Sequence, residues 1–153
     1  MTMHIFVSVL LASLTALAQP SAKPDFSGEW KMNAARSDFG PVPAPSSMTR
    51  SITHAEPALT IVENQSGGMG EQSVTRKYVT DGSDTTFPSQ GVDVKSSAKW
   101  ADNTLVFLSS VDVVGITFND TMSLSSDGKS LTSKVKITSP QGDVEVTIVF
   151  EKQ

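Results

Sequence analysis

The sequence predicts an all-β fold, an antiparallel up-and-down β-barrel of about 8 to 10 strands with little helix. Three observations predict it. Apolar residues recur at every second position through most of the chain. The breaks between these runs are short and carry turn residues. No window holds a sustained apolar stripe at the 3.6-residue helical period.

The first segment is an address rather than part of the fold. Ile5 to Ala18 is apolar and uncharged, ends in Ala16-Leu17-Ala18, and is shorter than the roughly 20 residues that span a bilayer. Residues 1–18 are therefore expected to be a cleaved secretory signal, and 19–153 a single barrel domain, secreted or periplasmic, with no membrane span left after cleavage. Cleavage leaves His54 as the only histidine.

The first strand is expected over Phe26 to Met32, followed by a helical turn or two near Ala34 to Ser37. Prolines at 41, 43 and 45 then favour an extended strap or linker. Weaker alternation marks strands at Met48 to His54, Leu59 to Ser66 and Gln72 to Thr80, with a short one at Thr85 to Phe87. Their punctuation is Glu56-Pro57, Gly67-Gly68-Met69-Gly70 and Asp81-Gly82-Ser83.

From Val92 the pattern is plain. Val92, Val94, Ser96, Ala98 and Trp100 share one face, against Asp93, Lys95, Ser97 and Lys99. Four more strands follow, carrying Leu105 to Val111, Ile116 to Leu124, Leu131 to Ile137 and Val144 to Phe150. Breaks at Ala101-Asp102-Asn103, Val114-Gly115, Ser126 to Lys129 and Pro140-Gln141-Gly142 are short enough to require antiparallel neighbours.

A soluble meander this long most simply removes its edges by closing on itself. A two-sheet sandwich is the runner-up, but the second half has none of the long crossovers of a Greek key. A transmembrane barrel is excluded: Asp120 would face lipid, one Tyr does not make two aromatic girdles, and the chain ends Glu151-Lys152-Gln153.

Composition narrows the chemistry. Zero cysteines exclude disulfides, thiolate metal sites and Cys nucleophiles. A net charge of -4 and a pI near 5.0 argue against nucleic acid as a partner. There is no Gly-rich phosphate loop and no nucleophile elbow, so no cofactor and no catalytic residue is assigned. Asp81-Gly82-Ser83-Asp84 matches the start of a calcium loop, yet its twelfth position is Val92, and no metal is assigned. Asn64 and Asn119 head glycosylation sequons on the outward register.

The string Asp25-Phe26-Ser27-Gly28-Glu29-Trp30-Lys31 resembles the Phe-x-Gly-x-Trp-Lys opening of the calycins, the lipocalins and fatty-acid-binding proteins. The resemblance implies a lipocalin-like, ligand-holding barrel in which Gly28 permits a tight entry to the first strand and Trp30 plugs the closed end. Lipocalins stack an Arg on that Trp, and here Lys152 stands in its place. Fatty-acid-binding proteins insert two helices after the first strand, which the proline strap does not supply. The wider string from Asp25 to Gly40 is also similar to a set of uncharacterised secreted bacterial proteins.

The most informative feature is the polar residues on the inward register: Arg50 and His54 beside Ile52, Glu63 after Ile61, Arg76 between Val74 and Tyr78, and Asp120 between Phe118 and Met122. A charge buried alone costs several kcal/mol, so each needs a partner, water or a ligand. One reading is a wet cavity in which Arg50 or Arg76, with Tyr78, Glu63 and Asp120, meets a polar or anionic group. Phe107, Phe118, Ile148 and Phe150 would then surround an apolar body. The other is internal pairing, Arg76 with Asp120 and Arg50 with Glu63. His54 is expected to be a solvated rim residue. The role expected is that of a monomeric binder of a small hydrophobic or amphipathic ligand. A cyclase or isomerase using the interior carboxylates, and an interaction module with a filled core, are the alternatives.

Overall fold

The computed structural model describes residues 22–68 and 70–153, so the expected leader at 1–18 lies outside the described residues. Ten strands form one antiparallel sheet: β1 (Gly28–Met32), β2 (Ser47–Ala55), β3 (Ala58–Gly67), β4 (Gly70–Val79), β5 (Asp81–Ser89), β6 (Val92–Ala101), β7 (Thr104–Val111), β8 (Ile116–Leu124), β9 (Ser130–Ser139) and β10 (Gly142–Lys152). Their order is β4-β3-β2-β1-β10-β9-β8-β7-β6-β5. The five-residue β1 stitches β2 to β10 and curls the meander into a cylinder. A single continuous sheet excludes the sandwich. One seam remains, since β4 and β5, adjacent in sequence, lie at opposite ends of the strand order.

Turn chemistry follows the residues. Gln90-Gly91 and Asp102-Asn103 are two-residue hairpin loops, with φ +51 and +79 at the first pair and +53 at Asp102. The Asp81-Gly82-Ser83 break is not a loop: it belongs to β5, which runs from Asp81 to Ser89 with a register shift between Asp81 and Asp84. A bulge disrupts strict alternation, and Pro88 is tolerated because β5 is an edge strand.

The helical turn over Ala34–Arg36 is a 3-10 turn capped by Asn33, and a second one, not expected from sequence, covers Asp112–Val114. The proline strap is an ordered crossing. Asp38 and Thr147 exchange backbone hydrogen bonds of 2.7 Å, Ser46 N–H donates to Ser66 O at 2.8 Å, and Phe39 and Val42 pack on the core.

The two ends of the cylinder differ. Phe26, Trp30, Leu59, Leu105, Met122, Leu131 and Phe150 are almost fully buried. They gather toward the β2–β3, β6–β7 and β8–β9 turns, which makes that end solid. The inward residues nearer the opposite turns leave a hollow.

Candidate functional site

That hollow has a volume of about 380 Å³, within the lower part of the range of small-molecule pockets. Arg50, Glu63, Arg76, Tyr78, Phe107, Phe118 and Asp120 all line it, as does Ile148. Strand parity brings them together: each sits on the inward register of β2, β3, β4, β7, β8 or β10. Phe150 does not join the lining. It is fully buried, with the Arg50 guanidinium 4.5 Å above its ring.

The charged residues form one cluster with a fixed centre. Arg50 on β2 and Glu63 on β3 are direct cross-strand partners, and Arg76 on β4 stands opposite Ile61, one step diagonal from Glu63. Arg50 Nε donates to Glu63 Oε2 at 2.7 Å and Arg76 Nη2 reaches the same oxygen at 2.8 Å. Burial opposes ionisation of Glu63, but the charges and hydrogen bonds of Arg76 and Arg50 outweigh it and hold the carboxyl at about 2. Arg76 Nε is buried without a hydrogen-bond partner.

The expected Arg76–Asp120 pair is therefore corrected. Strand β3 lies between β2 and β4, so Glu63 has an arginine on each side, whereas Asp120 sits across the barrel on β8. Ser133 Oγ on β9 donates to Asp120 Oδ1 at 2.7 Å. Burial pushes the Asp120 carboxyl above its ordinary range, against the opposing charge of Arg50 and the Ser133 hydrogen bond. Burial likewise raises the Tyr78 hydroxyl, which stays a neutral donor. Its ring meets Phe107 edge-on at 5.0 Å and Phe87 at 6.4 Å.

At the solid end, Gly28 has φ +137, and a Cβ there would lie 2.9 Å from Lys152 Cε. Trp30 Nε1 donates to Phe26 O at 2.9 Å, and Lys152 Nζ lies 5.4 Å from the Trp30 ring centroid. The plug is shared with Phe26, which stacks on Trp100 at 5.9 Å, and with His54.

His54 is not a solvated rim residue. Its side chain is 3% exposed, Nδ1 accepts from Phe26 N–H at 3.2 Å, and Nε2 lies 2.6 Å from Glu56 Oε1. The incoming segment around Phe26 folds over this strand end and covers the imidazole. Glu56 also accepts from Thr80 Oγ1 and Trp100 Nε1. Burial opposes its ionisation, yet these hydrogen bonds, led by His54, keep its carboxyl below the ordinary value.

Sequence reasoning missed part of the wall. Gln65, Gln72, Val74, Phe87, Ser89, Gln90 and Val94 also line the hollow. Gln65 and Gln72 extend the inward parity of Glu63 and Arg76, and Ser133 lies two residues from the inward Leu131, so period alone marks them. Gln90 occupies a turn and gives no periodic signal.

No protein-family model and no curated protein matches the chain. Solved structures do. A secretory abundant heat soluble protein from Ramazzottius varieornatus has a TM-score of 0.67 at 13% identity, over 87% of this chain and 98% of that one. A zebrafish ileal bile acid-binding protein complexed with cholic acid gives 0.62 at 16%, over 84% and 98%. A fatty-acid-binding protein of Echinococcus granulosus gives 0.58 at 13%, over 83% and 96%. These similarities show the fold, a ten-stranded antiparallel up-and-down barrel.

Proposed function

We propose that the chain is an exported, monomeric carrier that holds a small, partly apolar, anionic molecule inside the barrel. One observation carries this reading: Arg76 lines a hollow with a largely apolar wall and has a buried Nε without a partner. A buried donor left unmade costs free energy that a ligand acceptor restores. A carboxylate or sulfonate at Arg76, within reach of the neutral Tyr78 hydroxyl, answers that need. Phe107, Phe118 and Val94 offer the surface for an apolar body.

The cholic acid in the zebrafish relative's complex is an amphipathic acid of the kind proposed. Export rests on the leader-like pattern at 5–18. The cyclase or isomerase reading draws on the opposite shifts of Glu63 and Asp120. It is the weaker one, because two arginines occupy the Glu63 oxygen that a general base would use.

The test is titration with 1-anilinonaphthalene-8-sulfonate, an apolar anion that fluoresces on leaving water. Arg76→Leu should weaken binding about tenfold or more, since a hydrogen bond to a charged group is worth roughly 1.5–3 kcal/mol. Arg76→Lys should retain part of it. Glu63 keeps Arg50 in both variants, and circular dichroism checks the fold. Undiminished uptake by Arg76→Leu removes Arg76 from the site.

A further inference from the structure

The cavity has a second polar pole. Its charged lining residues are Arg50, Glu63, Arg76 and Asp120, all set deeper in the barrel. Four residues along β4 from Arg76 stands Gln72, directly opposite Gln65 on β3. Strand parity turns both inward, and both line the cavity, together with Ser89 at the end of β5 and Gln90 in the loop that follows.

The three amides form one network. Gln72 Oε1 accepts two hydrogen bonds of 2.9 Å, one from Gln65 Nε2 and one from Gln90 Nε2. Each amide offers two donors and one acceptor oxygen. Among the described residues, no hydrogen bond engages the Gln72 amide protons or the side-chain carbonyls of Gln65 and Gln90. What remains is neutral, with donors and acceptors side by side. A charge finds no counter-ion there, whereas a hydroxyl, which both donates and accepts, finds partners for each role. Gln90 is also an unexpected residue for its place. It sits at φ +51 in a two-residue hairpin loop, followed by Gly91 at φ +79, a geometry that favours Asn, Asp or Gly. The longer glutamine brings its amide to Gln72 and onto the cavity wall. A disfavoured conformation that delivers a specific contact is a reason to look for a function.

Between the two poles the wall is apolar. Val74 separates Gln72 from Arg76 on β4, and Val94, Val111 and Phe118 belong to the same lining. At about 3.4 Å per residue, Gln72 lies roughly 14 Å from Arg76 along the strand. The Arg76 guanidinium leans to Glu63, whose cross-strand partner Val74 lies halfway, so the two poles are separated by roughly 7 to 14 Å.

From these observations we infer that the cavity takes a two-headed molecule, an acid whose apolar body carries a hydroxyl at its far end, with the acid at Arg76 and the hydroxyl in the amide cluster of Gln65, Gln72 and Gln90. The inference rests on the carrier reading and narrows its ligand from an amphipathic acid to a hydroxy acid. A plain alkyl acid would set its terminal methyl against these amides, and shielding them from water without a partner costs free energy.

The experiment is isothermal titration with decanoate, ω-hydroxydecanoate and the α,ω-diol of the same length, on the parent, Gln72→Leu and Gln65→Leu, with circular dichroism to check the fold. The quantity read is the affinity for the hydroxy acid divided by that for the plain acid, which cancels whatever a substitution does to the shared chain and head. Gln72→Leu should lower this ratio about fivefold or more, the factor that corresponds to one hydrogen bond worth about 1 kcal/mol, and Gln65→Leu should lower it in the same direction. A ratio unchanged in both variants, with both acids bound by the parent, overturns the amide pole and leaves the carrier reading standing. A diol that binds the parent and is weakened by Gln72→Leu, where neither acid binds, supports the amide pole and overturns the anionic carrier reading. Binding of none of the three overturns both.

Discussion

Replacing Glu63 by Gln removes the one anion that both interior arginines share. Its carboxyl is held at about 2 against an ordinary 4.5, a gap that corresponds to roughly 3 kcal/mol. The loss expected from leaving buried charges unpaired is of the same order, roughly 3–5 kcal/mol. The sign follows from the depression. A carboxyl with a lowered folded pKa stabilises the protein above its unfolded value, and that contribution is lost as pH falls from about 4.5 toward 2. Urea denaturation followed by far-ultraviolet circular dichroism should therefore show Glu63→Gln about 3 kcal/mol less stable at pH 7, with the difference closing near pH 2. The same variant frees both guanidiniums and should bind an anionic probe more tightly than the parent. A deficit below about 1 kcal/mol at pH 7, or one that does not change with pH, refutes the argument that Glu63 anchors the cluster.

Two further substitutions probe the fold and the far wall. Trp30→Ala deletes a ring that is 1% exposed and its bond to Phe26 O, and should cost about 3 to 5 kcal/mol in chemical denaturation; a loss below about 1 kcal/mol means that Trp30 does not seal the end. Asp120 has a raised pKa, so the stability it confers is full below its ordinary 3.8 and declines as pH rises through the raised value. Asp120→Asn keeps an acceptor for Ser133, and thermal melts should show it equal to the parent at pH 3 and at least as stable at pH 7. Greater destabilisation at pH 7 than at pH 3 contradicts a carboxyl that favours its proton.

The barrel was legible because its signal is local and repeated. Alternation from Val92 to Phe150 places each side chain in or out, and short turns leave antiparallel pairing as the only solution. The same parity brought Arg50, Glu63, Arg76 and Asp120 to one hollow. Parity places a side chain inside but does not choose its partner there, and this is why the pairing of Arg76 was open: Glu63 stands on the neighbouring β3 and Asp120 across the cylinder on β8, and no period in the sequence measures the distance across. His54 was misread for a related reason, since what covers it is the Phe26 segment, 28 residues away. The β5 bulge and the Gln90 turn were hidden because both interrupt the period on which the reading depended. The seam is a matter of closure geometry and has no local sequence signature.

The central claim is that the hollow takes an apolar body with an anionic head at Arg76. Isothermal titration of the purified chain with an alkyl carboxylate and the alkyl alcohol of equal length isolates that head group. The account predicts one site per chain, the carboxylate bound about tenfold or more tightly than the alcohol, and the preference abolished in Arg76→Leu. Equal affinity for the two, or heat from neither, would contradict it.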